Sequence, residues 1–326
     1  MTVKPFQLLC PRELSDALAT LEKHSGNIRV LAGGTDLLPS MRQRLFEPEY
    51  VLDIRQLREI QGIRLTEQGI EIGAFTTLHA IENSDELKRS YPLLVEAAKT
   101  VASPVIRNMA TIGGNVCLDT RCLWYNQSLS WRKSCGFCIK KDGNICHVAP
   151  GGTKCWAAFS ADTPPALLCL QAEMEIRNAS SSRRVTLEKF YTGEGDNYRR
   201  LQPDELVTHI FLPRGSALYG GAYRKLRIRG SIDYPLAAVA VALKRKNGDF
   251  EDLRIAITAV NPAPLLVAGV QSLVNRAMTR ERMAEEIAEL AARTAKPLTT
   301  SALTPEYRRE IIRVFTKRAV LEAAAD

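Results

Sequence analysis

Five of the eight cysteines in the 326-residue chain fall between Cys122 and Cys155, in the stretch CLWYNQSLSWRKSCGFCIKKDGNICHVAPGGTKC. Thiolates at that density are ligands for soft metals, and four of them in one loop can hold a tetrahedral zinc ion or a cubane iron-sulfur cluster. Spacing alone leaves both open, with Cys135-x-x-Cys138 leaning slightly towards zinc. The N-terminal run MTVKPFQLLCPRELSDALATL has no charged region followed by an apolar one, so the expected location is cytoplasmic. Thiols there stay reduced, which makes the cluster metal-binding or catalytic rather than a disulfide frame. His147 adjoins Cys146, but four thiolates already fill four positions and leave the imidazole a supporting or surface role. Trp124, Tyr125, Trp131 and Trp156 are placed to shield a metal group from water or to anchor the loop. Cys10, Cys117 and Cys169 sit in apolar strings and read as small buried thiols.

A second chemistry is written in glycine. RVLAGGTDLLP (Arg29 to Pro39) and MATIGGNV (Met109 to Val116) each place Gly-Gly after an apolar run and before a small polar residue. Such turns let backbone N–H groups converge on one point, which suits a pyrophosphate; they also serve simply to admit positive φ. Neither pair is the three-glycine dinucleotide fingerprint, and no P-loop lysine follows, so an ordinary nicotinamide or nucleoside-triphosphate domain is disfavoured.

Composition narrows the rest. The chain is 45% hydrophobic and 25% charged, the balance of a globular protein with two or three cores. No apolar run approaches the ~18 residues of a membrane span. The net charge of +8 includes the runs Arg224 to Arg229 and Lys244 to Lys246, but these are scattered and lack interleaved aromatics, so no nucleic-acid partner is expected.

The elements that must carry these residues form three regions. Leu14, Leu18 and Leu21 stripe a helix over Pro11 to His24, followed by the strands IRVLA and YVLDI: a small α/β unit. GIRLTEQGIEIGA reads as a hairpin, Leu94, Ala98 and Val101 stripe a helix over Pro92 to Ala102, and AEMEIRN and ELVTHIFLP read as strands. In the third region Asn247-Gly248 predicts a tight turn between two strands. Two helices close the chain, one striped by Met283, Ile287 and Leu290, the other opened by Thr304-Pro305 and striped by Tyr307, Ile311 and Val314.

The loops VLAGGTDLL and TIGGN, roughly eighty residues apart, continue into SADTPPALL, PDELVTHIFLP and YRKLRIRGSIDYPLA. Together they resemble the flavin-binding subunits of the xanthine oxidase family of molybdenum enzymes, including the medium subunits of carbon monoxide dehydrogenases, over nearly the whole chain. The expected architecture is α+β. A two-part FAD-binding domain (a small α/β unit over 1–58, a larger mixed-sheet unit over 59–218) precedes a C-terminal antiparallel sheet with helices over 219–326. The resemblance implies FAD contacts from Val30, Leu31, Ala32, Gly33, Gly34, Thr35, Asp36 and Leu37, from Thr111, Ile112, Gly113, Gly114 and Asn115, and from Val101, Asp162, Leu206, Lys225 and Asp233.

Most of that family joins TIGGN to the DxxPAL-like segment within about ten residues, so 116–159 is an insertion here. With CLWYNQS, CIKKDGNICHVAP and a final cysteine, it is similar to the beta subunits of 4-hydroxybenzoyl-CoA reductases, which carry a [4Fe-4S] cluster beside FAD and serve the reductive removal of a phenolic hydroxyl. This similarity implies Cys122, Cys138, Cys146 and Cys155 as ligands, with Cys135, in the least similar part, as the alternative. Beside a flavin, a cluster matches one-electron to two-electron carriers, a role zinc cannot fill. The implied partners are a molybdenum-binding large subunit and a small subunit with [2Fe-2S] clusters, paired as a dimer of heterotrimers, with ferredoxin as donor. No catalytic residue is expected on this chain. A hydroxylase flavin subunit passing electrons outward and a zinc-stapled binding protein remain as other readings.

Overall fold

The computed structural model describes residues 3–246, 249–274, 276 and 278–325. Strands β1 (Gln7–Leu9), β2 (Ile28–Leu31) and β3 (Tyr50–Asp53) form a parallel sheet in the order β1-β3-β2. Consecutive strands that run parallel in one sheet, such as β1 and β2, need a crossover. Helix Leu14–Lys23 supplies it, burying Leu14, Ala17, Leu18 and Leu21, the stripe the sequence predicts with one alanine added.

The hairpin expected in GIRLTEQGIEIGA is β4 (Ile63–Thr66) and β5 (Gly69–Gly73). They join β6 (Glu173–Arg177), β7 (Ser182–Thr186) and β8 (Leu206–Pro213) in a five-stranded sheet ordered β4-β5-β8-β6-β7. Expected as mixed, this sheet is antiparallel at every described pairing. No strand–helix–strand crossover joins neighbours in it, so nothing demands parallel pairing. A third, antiparallel sheet runs β12-β11-β10-β9, from β9 (Gly220–Leu226), β10 (Ala237–Lys246), β11 (Asp249–Thr258) and β12 (Leu265–Leu266). The Asn247-Gly248 turn lies outside the described residues. The whole is α+β, with an antiparallel C-terminal sheet backed by helices Arg280–Thr294 and Pro305–Ala325.

The main core lies between the last two sheets. Helix Thr163–Cys169 starts on two prolines and is buried at every residue. Ala238, Ala240 and Ala242 of β10 belong to the same core, and their small side chains let the helix approach so closely that the Cys169 thiol reaches the Ala240 carbonyl at 3.5 Å. This holds Asp162, the residue before the helix, in a buried position.

One helix face departs from its pattern. In Pro305–Ala325 the buried residues are Arg308, Ile312, Thr316, Ala319, Val320, Ala323 and Ala324, while Tyr307 is exposed and Ile311 and Val314 are half-buried. The helix is turned about one residue from its apolar stripe because Arg308 is drawn inward. Its guanidinium donates to the carbonyls of Leu236, Leu298 and Ala259, and burial lowers its pKa to about 10. Of the remaining thiols expected to be buried, Cys169 is, Cys10 is exposed and Cys117 is half-buried. Cys10 lies just past the edge strand β1, where one face meets water.

The segment expected as an insertion leaves the scaffold and returns at one point. Arg121 and Ala158 exchange backbone hydrogen bonds of 2.7 and 2.8 Å, closing its stem. Arg132, 1% exposed, donates to the Gln43 and Arg44 carbonyls beyond helix Leu37–Arg42, and the Leu123 N–H donates to the Thr300 carbonyl. None of the described helices is long and apolar enough to cross a membrane.

Candidate functional sites

The two glycine loops meet. Gly33 is packed against the second loop so closely that a Cβ there would fall 1.9 Å from the Met109 carbonyl oxygen, and Gly34 holds φ at +72°. Only glycine satisfies the first without displacing backbone and the second without strain. Thr111 caps the turn that follows, its hydroxyl accepting from the Gly114 N–H at 3.1 Å. Gly113 and Asn115 spend their N–H groups on Ala74 and Thr111 carbonyls. Among the hydrogen bonds of the described residues, none is donated by the N–H of Gly33, Gly34 or Thr35. All three residues line a cavity of about 740 Å³. Unspent backbone donors around a cleft within the usual range for cofactor sites are the arrangement an anionic group requires.

Of the residues assigned to FAD by resemblance, Val30, Ala32, Gly33, Gly34, Thr35, Asp36, Leu37, Val101, Thr111, Gly113, Gly114, Asn115, Asp162, Leu206 and Asp233 line this cavity. Leu31, Ile112 and Lys225 do not. Ile112 is buried in the main core, and Lys225 stands behind the wall, donating to Asp162 Oδ2 and the Thr100 carbonyl, both at 3.0 Å. Tyr223 donates to the other carboxylate oxygen at 2.9 Å, so Asp162 is clamped from two sides. Burial and the adjoining carboxylate raise the Tyr223 phenol well above its ordinary pKa, keeping it a donor. Asp36 is held likewise by Arg121 at 2.8 Å and Tyr234 at 2.9 Å, with the guanidinium 3.9 Å over the tyrosine ring. Asn115 Oδ1 accepts from the N–H and hydroxyl of Thr163, tying the second loop to the central helix.

Cys122, Cys138, Cys146 and Cys155 come together around a second, much smaller hollow of about 10 Å³, walled also by Trp124, Tyr125, His147 and Val148. Cys135 does not line it; it ends the short helix Leu129–Ser134 and is half-buried. Burial pushes the Cys122 thiol up to about 11, with Cys138 and Cys146 nearby adding to it and the Trp124 and Tyr125 N–H groups opposing. Burial pushes Cys155 up to about 12, opposed by the Ala157 N–H, 3.4 Å from the sulfur, and by the charge of Lys140. Backbone donors to sulfur and an apolar, aromatic surround are what a buried thiolate–metal group needs. His147 lines the hollow with its Nε2 engaged elsewhere, 2.5 Å from the Phe137 carbonyl, and its ring stacked on Trp124 at 4.4 Å. Among the described residues no three His, Cys, Asp or Glu side chains are grouped as ligands of one ion. The four sulfurs line one hollow without being drawn together on a single point.

Sequence reasoning missed the polar end of the large cavity, where Arg29, Asp119, Tyr125, Lys140, Tyr198 and Arg199 gather. Tyr125 and Lys140 line both cavities. Neither belongs to a glycine motif. The clue was the unusual content of the insertion itself.

Residues 4–215 match the family described as the FAD binding domain in molybdopterin dehydrogenase, and residues 221–323 the CO dehydrogenase flavoprotein C-terminal domain. The chain is 32% identical over 317 residues to the carbon monoxide dehydrogenase medium chain of Afipia carboxidovorans, covering 97% of this chain and 95% of that one. It is 30% identical over 319 residues to the glyceraldehyde dehydrogenase medium chain of Sulfolobus acidocaldarius, covering 98% of each. Among solved structures, reconstituted CO dehydrogenase from Oligotropha carboxidovorans superposes with a TM-score of 0.82 at 30% identity, over 100% of this chain and 99% of that one.

Proposed function

The chain belongs to the FAD-binding medium subunits of the molybdenum hydroxylase family, and from that premise we propose that it is the FAD and [4Fe-4S] electron-transfer subunit of a 4-hydroxybenzoyl-CoA reductase. The observation that carries the finer reading is the convergence of Cys122, Cys138, Cys146 and Cys155 on one hollow that shares Tyr125 and Lys140 with the flavin cleft. When bound, FAD stores two electrons and the cluster carries one, so the pair lets a one-electron donor such as ferredoxin supply a two-electron reduction elsewhere.

The chain's own residues hold and insulate. The N–H groups of Gly33, Gly34 and Thr35 receive the anionic part of the flavin nucleotide, and Asp36 and Asp162, each clamped by two donors, orient its neutral, hydroxyl-bearing part. The four thiolates ligate the cluster, while Trp124, Tyr125 and the stacked Trp124–His147 pair keep water from it. No side chain is assigned to bond-making. The substrate belongs to a molybdenum-binding large subunit, with a [2Fe-2S] small subunit beside it, in a cytoplasmic dimer of heterotrimers serving anaerobic aromatic degradation.

The medium subunits it resembles favour a second reading, since those above are named for dehydrogenases: a flavin subunit that passes electrons outward from molybdenum. Anaerobic purification of the full complex separates the two. The proposed function expects four iron and four sulfide in this chain beside one FAD, and flavin reduction by ferredoxin that requires them. FAD with no chain-bound iron would leave the second reading standing.

A further inference from the structure

Lys140 is an insertion residue whose side chain is only 5% exposed. A buried ammonium persists where fixed oxygens replace its water. Its Nζ donates to Asp119 Oδ1 at 2.7 Å, to the Thr120 carbonyl at 3.1 Å and hydroxyl, and to the Gly195 carbonyl at 2.8 Å. It also lies 4.6 Å over the ring of Tyr125, whose phenol pKa is raised by burial and by the nearby charge of Asp119. Lysine and tyrosine are thus one unit, and both face the flavin cleft and the thiol hollow. Gly195 completes the link. Its N–H donates to the Cys155 carbonyl at 2.9 Å, and a side chain there would meet the Cys155 sulfur at 2.7 Å.

Resting on the proposed cluster, we infer that Lys140 is a positioning residue that sets the reduction potential of the thiolate-bound group. Its fixed positive charge, in the wall between the two sites, favours the electron-loaded state of the group held by Cys155 and its three companions. Net charge and buried surroundings govern such potentials. Asp119 is the opposing charge, but it stands on the cleft side: it lines the flavin cavity and is absent from the lining of the hollow. The lysine therefore acts on the cluster with less cancellation than on the flavin.

The test is anaerobic potentiometry of the whole complex, reading the reduced cluster by EPR and the flavin by absorbance, with iron, sulfide and FAD assayed in each variant. Lys140→Met is expected to keep all three and to make cluster reduction about tenfold less favourable, about 59 mV for one electron, with a smaller shift at the flavin. Lys140→Arg, which retains the charge, is expected to hold the potential near the parent value. Asp119→Asn removes the counter-charge and is expected to move the cluster potential upward; it carries the test if Lys140→Met loses its cluster. An unmoved cluster potential in a fully loaded Lys140→Met complex, or a downward shift in Asp119→Asn, overturns the inference while leaving the proposed function intact. Absence of iron from the parent chain sinks both.

Discussion

The flavin cleft and the thiol hollow share a wall and are built by opposite means. The cleft, about 740 Å³, is made by backbone: unspent N–H groups, a glycine pressed against the facing loop, and carboxylates already clamped by Arg121, Tyr234, Tyr223 and Lys225. The hollow, about 10 Å³, is made by side chains, and at that size it admits no more than one water. One site is preformed and waits for its ligand. The other is already lined by its four thiols but would have to open to take the proposed cluster. The difference teaches that FAD and iron contents should respond independently to mutation, although the two sites are neighbours.

The largest effect expected is loss of iron. Changing any of Cys122, Cys138, Cys146 or Cys155 to alanine should cut chain-bound iron by more than tenfold while leaving FAD at one per chain; Cys135→Ala should keep both. Full iron in Cys146→Ala would break the assignment, and loss of FAD along with iron would break the independence of the two sites.

Next comes the reverse experiment. Gly33→Val drives a side chain into the Met109 carbonyl, and Gly34→Val adds about 1–3 kcal/mol of backbone strain that the loop sheds by leaving the binding conformation, so FAD content should fall in both. Gly114→Val should matter least of the three, since its Cβ meets only the Thr111 hydroxyl, at 3.0 Å. FAD titration of the three variants ranks them, and equal affinities would mean that the loops do not carry the nucleotide.

Replacing 122–157 by a short turn tests how far the scaffold stands alone. The closing pair Arg121–Ala158 survives, and Arg121 still reaches Asp36. Loop closure changes by only about 0.6 kcal/mol per halving of length, while uncovering Leu45, 1% exposed, costs about 1.5–3 kcal/mol. The melting temperature should fall by several degrees with FAD retained. Collapse of the fold would show the insertion to be structural.

The smallest signal is chemical. In protein stripped of metal, iodoacetamide should label exposed Cys10 first. Cys122 and Cys155, raised to about 11 and 12, should react slowly at pH 8 and accelerate as pH approaches those values, because the thiolate is the nucleophile. Equal rates at pH 8 for Cys10 and Cys155, read by peptide mass, would contradict the burial.

The glycine pairs, the thiol-rich stretch and most strands were legible because each is a local pattern. What was not legible depends on contacts across the chain. Tyr234 reaches Asp36 from 198 residues away, which no spacing rule anticipates. Lys225 matched a cofactor-contacting position, yet here it braces Asp162 from behind the wall. The last helix carries a plausible stripe through Tyr307, Ile311 and Val314, but three carbonyls gathered by the tertiary fold outbid it and draw Arg308 inside. Cys10 resembled a core thiol because its neighbours are apolar, and those neighbours lie on an edge strand.

The way the insertion grips its host has an evolutionary consequence. Arg132 takes the carbonyls of Gln43 and Arg44, Lys140 that of Gly195, and the Leu123 N–H that of Thr300; the stem closes through the backbone of Arg121 and Ala158. These host partners are main chain; host side chains add to the grip at Asp36, which takes the Arg121 guanidinium at 2.8 Å, and at Leu45, which packs among the thiols. Because the hydrogen bonds to host carbonyls use main chain, host side chains at 43, 44 and 300 could drift without releasing them, whereas position 195 is held to glycine, since a Cβ there would fall 2.7 Å from the Cys155 sulfur. Grafted between the equivalent stem positions of a relative with a short join there, the segment should find its main-chain anchors in place wherever the residue matching 195 is glycine.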